Sequence, residues 1–305
     1  MTESVGRTPS FAGSAAHPAF GLTDVLLFAM AVIWGINFVV VKYATHIFNP
    51  VAFTGLRVGT AALFLGAVAF SRGGISLPRA DVVRLLFLGM LGNGLYQLFF
   101  VHGVARTRAG NAALIVGAAP AFIALIARSR GLERVKRMTL FGIALSVVGV
   151  GLVIVGSANS SRGEATLLGS VLVFMGVLCW SVYTILLQPL ATRLDVFQLS
   201  AMTMIGGAIP LMIASTPALI RTDWSQVGTG GWLALLYSSV ISMGVAYFFW
   251  YRGLRVLGPT RTAVYANLQP IVALLVAWAV LGEIPTIFQG VGAVTIIAGV
   301  FLTRT

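Results

Sequence analysis

The sequence predicts an all-α membrane protein with ten transmembrane helices, arranged as two inverted five-helix repeats. Three observations predict this class: apolar runs of bilayer-spanning length recur along the chain, the second half repeats the pattern of the first, and charges lie almost entirely between the runs. Of the 305 residues, 58% are hydrophobic and 9% are charged, whereas a soluble domain carries about 25% charged residues. Helices are favoured over barrel strands, because a strand needs only about ten strictly alternating residues and these runs are longer and uniformly apolar.

The predicted spans follow one another with short polar connections. They are Leu22–Val41, Val51–Phe70, Leu85–Gly103, Asn111–Ala127, Met138–Gly156, Leu167–Leu187, Phe197–Thr216, Trp232–Trp250, Thr262–Leu281 and Ile287–Leu302. Residues 1–21 are polar and small and lack the pattern of a cleaved signal peptide, so we expect a disordered cytoplasmic tail. Residues 157–166 are expected to form a linker loop between a first repeat, 22–156, and a second, 167–305.

Identical residues recur in the two halves at a fixed spacing. Pro120 matches Pro270, 150 positions later, and five further pairs keep this register. They are Gly103 with Gly253, Ala113 with Ala263, Glu133 with Glu283, Gly142 with Gly292, and Gly149 with Gly299. Further upstream, Trp34 matches Trp180 at a spacing of 146. Because each half holds an odd number of spans, the second half enters the membrane from the opposite side, as in many transporters.

Lysine and arginine are distributed unevenly between alternate connections. The net charge is +12, and one set of alternate loops together with both termini holds 14 of the 20 cations, against five in the other set. Cytoplasmic loops carry the excess of positive charge, so both termini are expected in the cytoplasm. Because the charge follows the alternation of the loops and not one continuous face, the expected partner is the lipid bilayer and not nucleic acid.

Several segments resemble one family of membrane transporters. The segment 33–38 (IWGINF) is similar to its first-helix signature, and 56–58 (LRV) resembles an element of its second helix. The segment 263–270 (AVYANLQP), followed by 281–283 (LGE), resembles its ninth-helix segment and terminal Gly-Glu pair. The family that these segments resemble is the EamA-type branch of the drug/metabolite transporter superfamily. The resemblance covers about residues 22 to 302. It implies two EamA-like repeats and a secondary transporter of the bacterial inner membrane.

The sequence carries no enzyme signature. Its eight acidic residues lie in tails, loops or span ends, and no His/Cys cluster has metal-ligand spacing. No glycine-rich phosphate loop precedes a soluble helix. We therefore expect no enzyme activity, no catalytic residue, no metal and no cofactor. The first span contains no Glu, so the proton-coupling carboxylate of the related small multidrug pumps has no counterpart here.

Polar and aromatic side chains within the spans are candidates for a solute site, because polar groups in contact with lipid are costly and usually face inward. Trp34 and Asn37 share one helix face, and Trp180 and Tyr183 occupy the matching positions of the second repeat. The expected wall consists of Trp34, Asn37, Asn93, Tyr96, Gln97, Trp180, Tyr183, Tyr265 and Gln269. The alternative is a buried structural network. The eighth-span aromatics around Tyr247 fit either the same wall or an interfacial belt.

Each repeat has a proline in the middle of a span, Pro120 in the fourth and Pro270 in the ninth. A proline lacks the backbone N–H that would bond the carbonyl four residues earlier, here that of Val116 or Ala266. We expect a kink at both places. The kinks serve either as hinges for gating, with carbonyls free to coordinate a polar ligand, or only as packing features.

Three ionisable residues are candidates for a charge role. Arg57, which lies well inside a span, fits snorkelling, pairing with helix-end carbonyls, or attraction of a substrate carboxylate. His102, at the end of the third span, fits a structural role or proton coupling. Glu283 and its counterpart Glu133 fit helix capping, loop salt bridges or gating.

These observations predict a secondary transporter that exports a small amphipathic metabolite, such as an amino acid or a derivative, by alternating access between the repeats. An alternative carrier function is exchange of nucleotide sugars or phosphometabolites, which needs several inward-facing cations. An alternative of another class is a membrane enzyme or a scaffold. The expected partners are a small solute and the bilayer, and both a monomer and a homodimer fit the sequence.

Overall fold

The computed structural model describes residues 21–131, 137–158 and 163–302, and the regular secondary structure within them is entirely helical. Glu133, residues 1–20 of the expected tail and part of the expected linker lie outside the described residues. On both sides of the linker, helical structure extends into the range 157–166. The all-α class predicted from composition is confirmed.

Ten helices follow one another in the described part of the chain, as the sequence predicts. They are α1 (Leu22–Ile47), α2 (Pro50–Ser71), α3 (Arg79–Arg106), α4a (Ala109–Val116) with α4b (Ala119–Ser129), α5 (Arg137–Ala158), α6 (Gly163–Arg193), α7 (Val196–Ile220), α8 (Thr229–Val256), α9a (Pro259–Tyr265) with α9b (Gln269–Leu281), and α10 (Ile287–Leu302). Eight are long and apolar enough to cross a membrane, and α5 and α10 contain the shorter apolar segments Leu140–Gly156 and Ile287–Gly299. Several helices run beyond the predicted spans, because apolarity marks the hydrocarbon core whereas a helix continues into the interface.

Local sequence determines where several helices begin and end. Asn49 precedes α2 and accepts a hydrogen bond of 2.9 Å from a first-turn N–H, with Pro50 at the first helical position. Asp195 caps α7 by accepting two first-turn N–H bonds. α9b ends at Gly282, whose φ of 65° lies in the left-handed region that glycine adopts without strain.

The helix packing shows the symmetry of the repeats. α2 packs against α7, and α5 packs against α10, so these helices pair with their own counterparts. α1 packs against α8 and α9 of the second repeat, whereas its counterpart α6 packs against α3 and α4 of the first. The first helix of each repeat therefore packs against helices of the other repeat, and both repeats contribute to the middle of the bundle.

Glycines that recur in the two halves meet where α5 contacts α10. A Cβ atom added to Gly149 would lie 3.0 Å from the carbonyl oxygen of Gly292, and one added to Gly299 would lie 2.5 Å from that of Gly142. The two backbones are therefore in direct contact, which small residues permit in membrane helices. This close approach explains why glycine is repeated at these positions.

The two repeats are also irregular at matching places. α4 is broken between α4a and α4b, and α9 is broken at the 3-10 turn Ala266–Leu268. α3 contains the π-helical segment Met90–Leu95, and α8 contains the segment Tyr237–Val245. Prolines predict the two breaks, whereas a π segment has no simple hydropathy signature and was not expected from the sequence.

Candidate functional site

A cavity lies between the two repeats and is lined by α1, α2, α3, α4, α6, α8 and α9. Its open space is about 40 Å³, which is enough for only a few water molecules. Most of the side chains expected in a solute site line it. They are Trp34, Asn37, Tyr96, Gln97, Trp180 and Gln269.

The cavity lies on the approximate two-fold axis that relates the repeats. Trp34 and Trp180, which match at a spacing of 146, meet edge to face with ring centroids 5.9 Å apart. Gln97 and Tyr247, which match at a spacing of 150, are joined by a hydrogen bond of 3.1 Å from the amide Nε2 to the hydroxyl. Because an axis passes between the residues that it interchanges, these two contacts place it at the cavity.

Aromatic rings form much of the cavity wall. The ring centroids of Trp34, Trp180 and Trp250 lie 5.4 to 5.9 Å from one another, and that of Tyr247 lies 5.6 Å from Trp34. Tyr96 adds a further ring, 5.1 Å from Trp180. Such tilted and edge-to-face arrangements are favourable for aromatic pairs. Trp250 and Tyr247 are 1% and 2% exposed, so they belong to the interior and not to an interfacial belt.

The π segment of α8 supplies hydrogen-bonding partners that sequence reasoning missed. Trp34 Nε1 donates to the carbonyl oxygen of Ser242 at 2.9 Å, and Ser238 Oγ donates to Asn37 Oδ1 at 3.0 Å. A π turn interrupts the regular helical hydrogen-bond pattern, so its polar groups become available to a neighbouring helix. Small serines within an apolar span give no signal of this role in the sequence.

Asn93 and Tyr183, both expected in the wall, do not line the cavity. Asn93 is fully buried within the π segment of α3. The prediction assumed a regular helix, and the wider π turn changes the direction of Asn93 relative to Tyr96. Tyr183 is also fully buried, and its hydroxyl lies 2.6 Å from that of Tyr251. Both residues therefore belong to the packing behind the cavity.

Tyr265, expected on the same face as Gln269, points elsewhere. Its hydroxyl donates a hydrogen bond to the carboxylate of Asp24 at the start of α1. The tighter 3-10 turn Ala266–Leu268 lies between the two residues and changes the angle between their side chains. The same turn uses the carbonyl of Ala266, which accepts a bond from the Gln269 N–H. The free carbonyl expected there is therefore satisfied.

Both mid-span prolines begin the second part of a broken helix. Pro120 lies in the first turn of α4b, and Pro270 lies in the first turn of α9b. Pro120 lines the cavity. Pro270 packs against α4, since a Cβ atom added to Gly117 would lie 2.8 Å from its Cγ atom. The two breaks therefore contact each other in the middle of the bundle.

Arg57 on α2 is 1% exposed and lines the cavity, so it does not snorkel to the membrane surface. Its Nε and Nη1 atoms have no hydrogen-bond partner. Its guanidinium carbon lies 5.8 Å from the ring centroids of both Phe53 and Phe100. Among the described residues, Arg57 takes part in no ion pair and no acidic side chain lines the cavity.

His102 and Glu283 lie outside the cavity, near helix ends. His102 Nδ1 is 3.0 Å from Nη1 of Arg106, one turn later in α3. Glu283 accepts hydrogen bonds of 3.2 and 3.3 Å from the first two N–H groups of α4a. A carboxylate is favourable at a helix N-terminus, so Glu283 ties α4 to the connection between α9 and α10.

Comparison with known proteins places the chain in a family. The model of the EamA-like transporter family matches residues 21–155 and 167–305. The Bacillus subtilis (strain 168) protein named "Uncharacterized transporter YyaM" is 29% identical over 280 residues, which cover 90% of this chain and 91% of that protein. A Salmonella typhimurium protein named "Probable amino-acid metabolite efflux pump" is 28% identical over 290 residues, covering 91% and 93%.

A solved crystal structure has the same fold, with a TM-score of 0.67 at 17% sequence identity, and the match covers 92% of this chain and 95% of that one. The family model spans nearly the whole chain, and the relatives carry the names of transporters and not of enzymes. The protein is therefore an integral membrane transport protein without an enzymatic role, and it belongs to the EamA-like transporter family.

Proposed function

We propose that the protein is a secondary carrier that exports a small amphipathic metabolite, such as an amino acid or a derivative, by alternating access between its inverted repeats. The observation that carries the proposal is the cavity on the two-fold axis, whose wall combines aromatic and amide groups from both repeats. Carriers with inverted repeats bind substrate at the repeat interface near the membrane midplane. The relative named a probable amino-acid metabolite efflux pump supports the same substrate class.

The wall offers a partner for each part of such a solute. The rings of Trp34, Trp180 and Trp250 can cover an apolar side chain and attract an ammonium group. Gln97 Oε1 is buried without a hydrogen-bond partner, and Gln269 lines the cavity from the broken helix α9. An unpaired buried amide is costly, so a ligand that donates to it is favoured.

The size of the cavity indicates that transport requires movement. Ligand sites usually measure about 300–1,000 Å³, far more than the 40 Å³ of this conformation. The repeats contact each other at both ends, through Asp24 with Tyr265 at one end and Glu283 with α4a at the other. Alternating access opens one set of contacts while the other holds, and Pro120 and Pro270 are the proposed hinges.

Export across a bacterial inner membrane, with both termini in the cytoplasm, belongs to the same proposal. The distribution of 14 cations against five supports this orientation. A net-neutral zwitterion does no work against the membrane potential, which acts at about 2.3 kcal/mol per unit charge per 100 mV. Facilitated export down the gradient of the solute is therefore sufficient, and the position of His102 outside the cavity gives no support to proton coupling.

Exchange of phosphorylated metabolites is less well supported. Phosphate groups are usually held by several charge-assisted contacts. Arg57 is the one cation that lines the cavity in the described part of the chain. We therefore favour a solute with a single anionic group over a phosphate ester.

Efflux from liposomes tests the proposal. Purified full-length protein is reconstituted into vesicles loaded with the twenty proteinogenic L-amino acids, and released solutes are measured by mass spectrometry. A variant with Asn37→Ala, Gln97→Ala and Gln269→Ala should lower efflux about tenfold or more, because each hydrogen bond contributes about 0.5–1.5 kcal/mol. The exposed Gln226→Ala variant is the control. Wild-type efflux from a folded triple variant, or no efflux by the wild type, contradicts the proposal.

A further inference from the structure

The guanidinium group of Arg57 is buried in an environment that is unusual for a charge, because two of its nitrogen atoms lack hydrogen-bond partners. Its Nε and Nη1 donors are unpaired in a side chain that is 1% exposed. The faces of Phe53 and Phe100 lie 5.8 Å away. The attraction between the cation and these ring faces offsets part of the free-energy cost of removing the charge from water. Ring faces do not replace the hydrogen bonds to water that the guanidinium group loses. The described residues that line the cavity include no carboxylate.

Burial does not remove the charge of Arg57, because a guanidinium group keeps its proton in proteins. A buried cation with unpaired donors is unfavourable until an anion or another acceptor reaches it. Arg57 reaches the cavity from α2, so an anionic group that enters the cavity with the solute can meet it. The rings of the aromatic cluster line the same cavity and are available to the remainder of that solute.

We propose that Arg57 binds a carboxylate group of the transported solute. The inference rests on the proposed transport function and defines its substrate class as a monocarboxylic acid with an apolar or aromatic part. A planar carboxylate can accept two parallel hydrogen bonds from a guanidinium group. A phosphate carries up to two charges and three terminal oxygens, for which the described cavity wall offers one cation.

The first test compares three sets of solutes with the wild-type protein in liposomes. One set is the twenty proteinogenic L-amino acids, the second is the corresponding carboxamides, and the third is the 1-aminoalkylphosphonic acids that correspond to alanine, valine, leucine and phenylalanine. Leak from protein-free liposomes is subtracted for each solute. We expect carboxylates to leave at least about tenfold faster than the matching carboxamides and phosphonates, since only the carboxylate pairs with Arg57 as a planar monoanion.

The second test uses variants of the arginine. Arg57→Gln removes the charge, and we expect it to abolish the preference for acids over amides. Arg57→Lys keeps the charge without the planar fork and should retain part of the preference. Arg255→Gln is the matched control, because Arg255 is exposed at the end of α8. If Arg57→Gln does not fold, the wild-type comparison of acids and amides still decides the proposal.

The outcomes separate this inference from the transport proposal. Equal efflux of acids and amides by the wild type overturns the carboxylate site and leaves the export proposal standing. Faster efflux of phosphonates overturns it in favour of a phosphate-like ligand. An Arg57→Gln variant that slows acids and amides by the same factor shows a structural role. No efflux of any set overturns both proposals.

Discussion

Arg57 and Gln97 have buried polar atoms without partners in the cavity wall, whereas Trp34 and Glu283 bond to neighbouring helices. Most buried polar groups in folded proteins are paired. Several buried side chains in the described part of the chain lack such a partner, and Arg57, Gln97 and Trp250 are those that line the cavity, where a ligand can reach them. The free donors of Arg57 and the free acceptor of Gln97 are therefore available to a solute, whereas the carboxylate of Glu283 is already used in holding helices together.

The contact of Glu283 with α4a predicts a stability effect. The Glu283→Gln variant keeps an acceptor oxygen but loses the negative charge at the helix N-terminus and beside Arg108, 3.9 Å away. We expect the folded state to lose about 1 kcal/mol, measured as a lower thermal unfolding midpoint in detergent. The control is Asp223→Asn in the exposed turn before α8, where asparagine caps as well as aspartate. An unchanged midpoint for Glu283→Gln would show that this carboxylate does not stabilise the fold.

At the scale of single helices, irregular segments surround the cavity. The breaks in α4 and α9 and the π segments in α3 and α8 occupy matching places in the two repeats. Broken and π-helical segments leave backbone groups outside the regular ladder and are frequent at functional sites. The regular helices α2, α7, α5 and α10 pair with their counterparts, so the irregular helices are the ones placed to change shape.

The break in α9 predicts an effect on transport rate. Pro270→Ala restores a backbone N–H, which allows the 3-10 turn to rewind into a continuous α-helix. We expect the variant to fold and its efflux to be slower by about tenfold, because the proposed hinge is stiffened. Pro217→Ala, at an exposed position within α7, is the matched control. Efflux at the wild-type rate by Pro270→Ala would exclude this hinge.

At the scale of the whole molecule, the symmetry places one cavity at the axis with contacts between the repeats on both sides of it. Residues that are interchanged by the axis, such as Trp34 with Trp180, touch each other in the wall. In the proposed mechanism, such a molecule alternates between two closely related open states, one for each side of the membrane. A ligand shifts the equilibrium between these conformations only if it binds them with different affinities.

The buried charge of Arg57 predicts exchange kinetics. In the proposed mechanism, the loaded carrier passes through the closed conformation with the guanidinium group of Arg57 paired to the solute carboxylate. The empty carrier passes through the same conformation with that group unpaired. We expect unlabelled amino acids outside the vesicles to accelerate efflux of isotope-labelled amino acids by about tenfold, which corresponds to about 1.4 kcal/mol. Arg57→Gln should lose this acceleration. Efflux that is independent of the external solute would contradict the prediction.

The sequence by itself determined the spans, their duplication and the two helix breaks. Hydropathy marks the length of chain that can lie in hydrocarbon, and the matches between halves, such as Pro120 with Pro270, mark the repeat. A proline removes one helical hydrogen bond and so favours a break within a span, although α6 and α7 continue through Pro189, Pro210 and Pro217. These properties depend on the local chain, so they were predictable without coordinates.

Only the tertiary structure decided which polar residues meet. Asn93 and Tyr265 were predicted to line the cavity and do not, because a π segment and a 3-10 turn change the direction of side chains along a helix. Tyr247 lines the cavity and accepts a hydrogen bond from Gln97 on another helix. The absence of a partner for Nε and Nη1 of Arg57 likewise depends on which side chains of seven helices line the cavity. Such convergence is set by packing between distant segments, which periodicity along one helix does not encode.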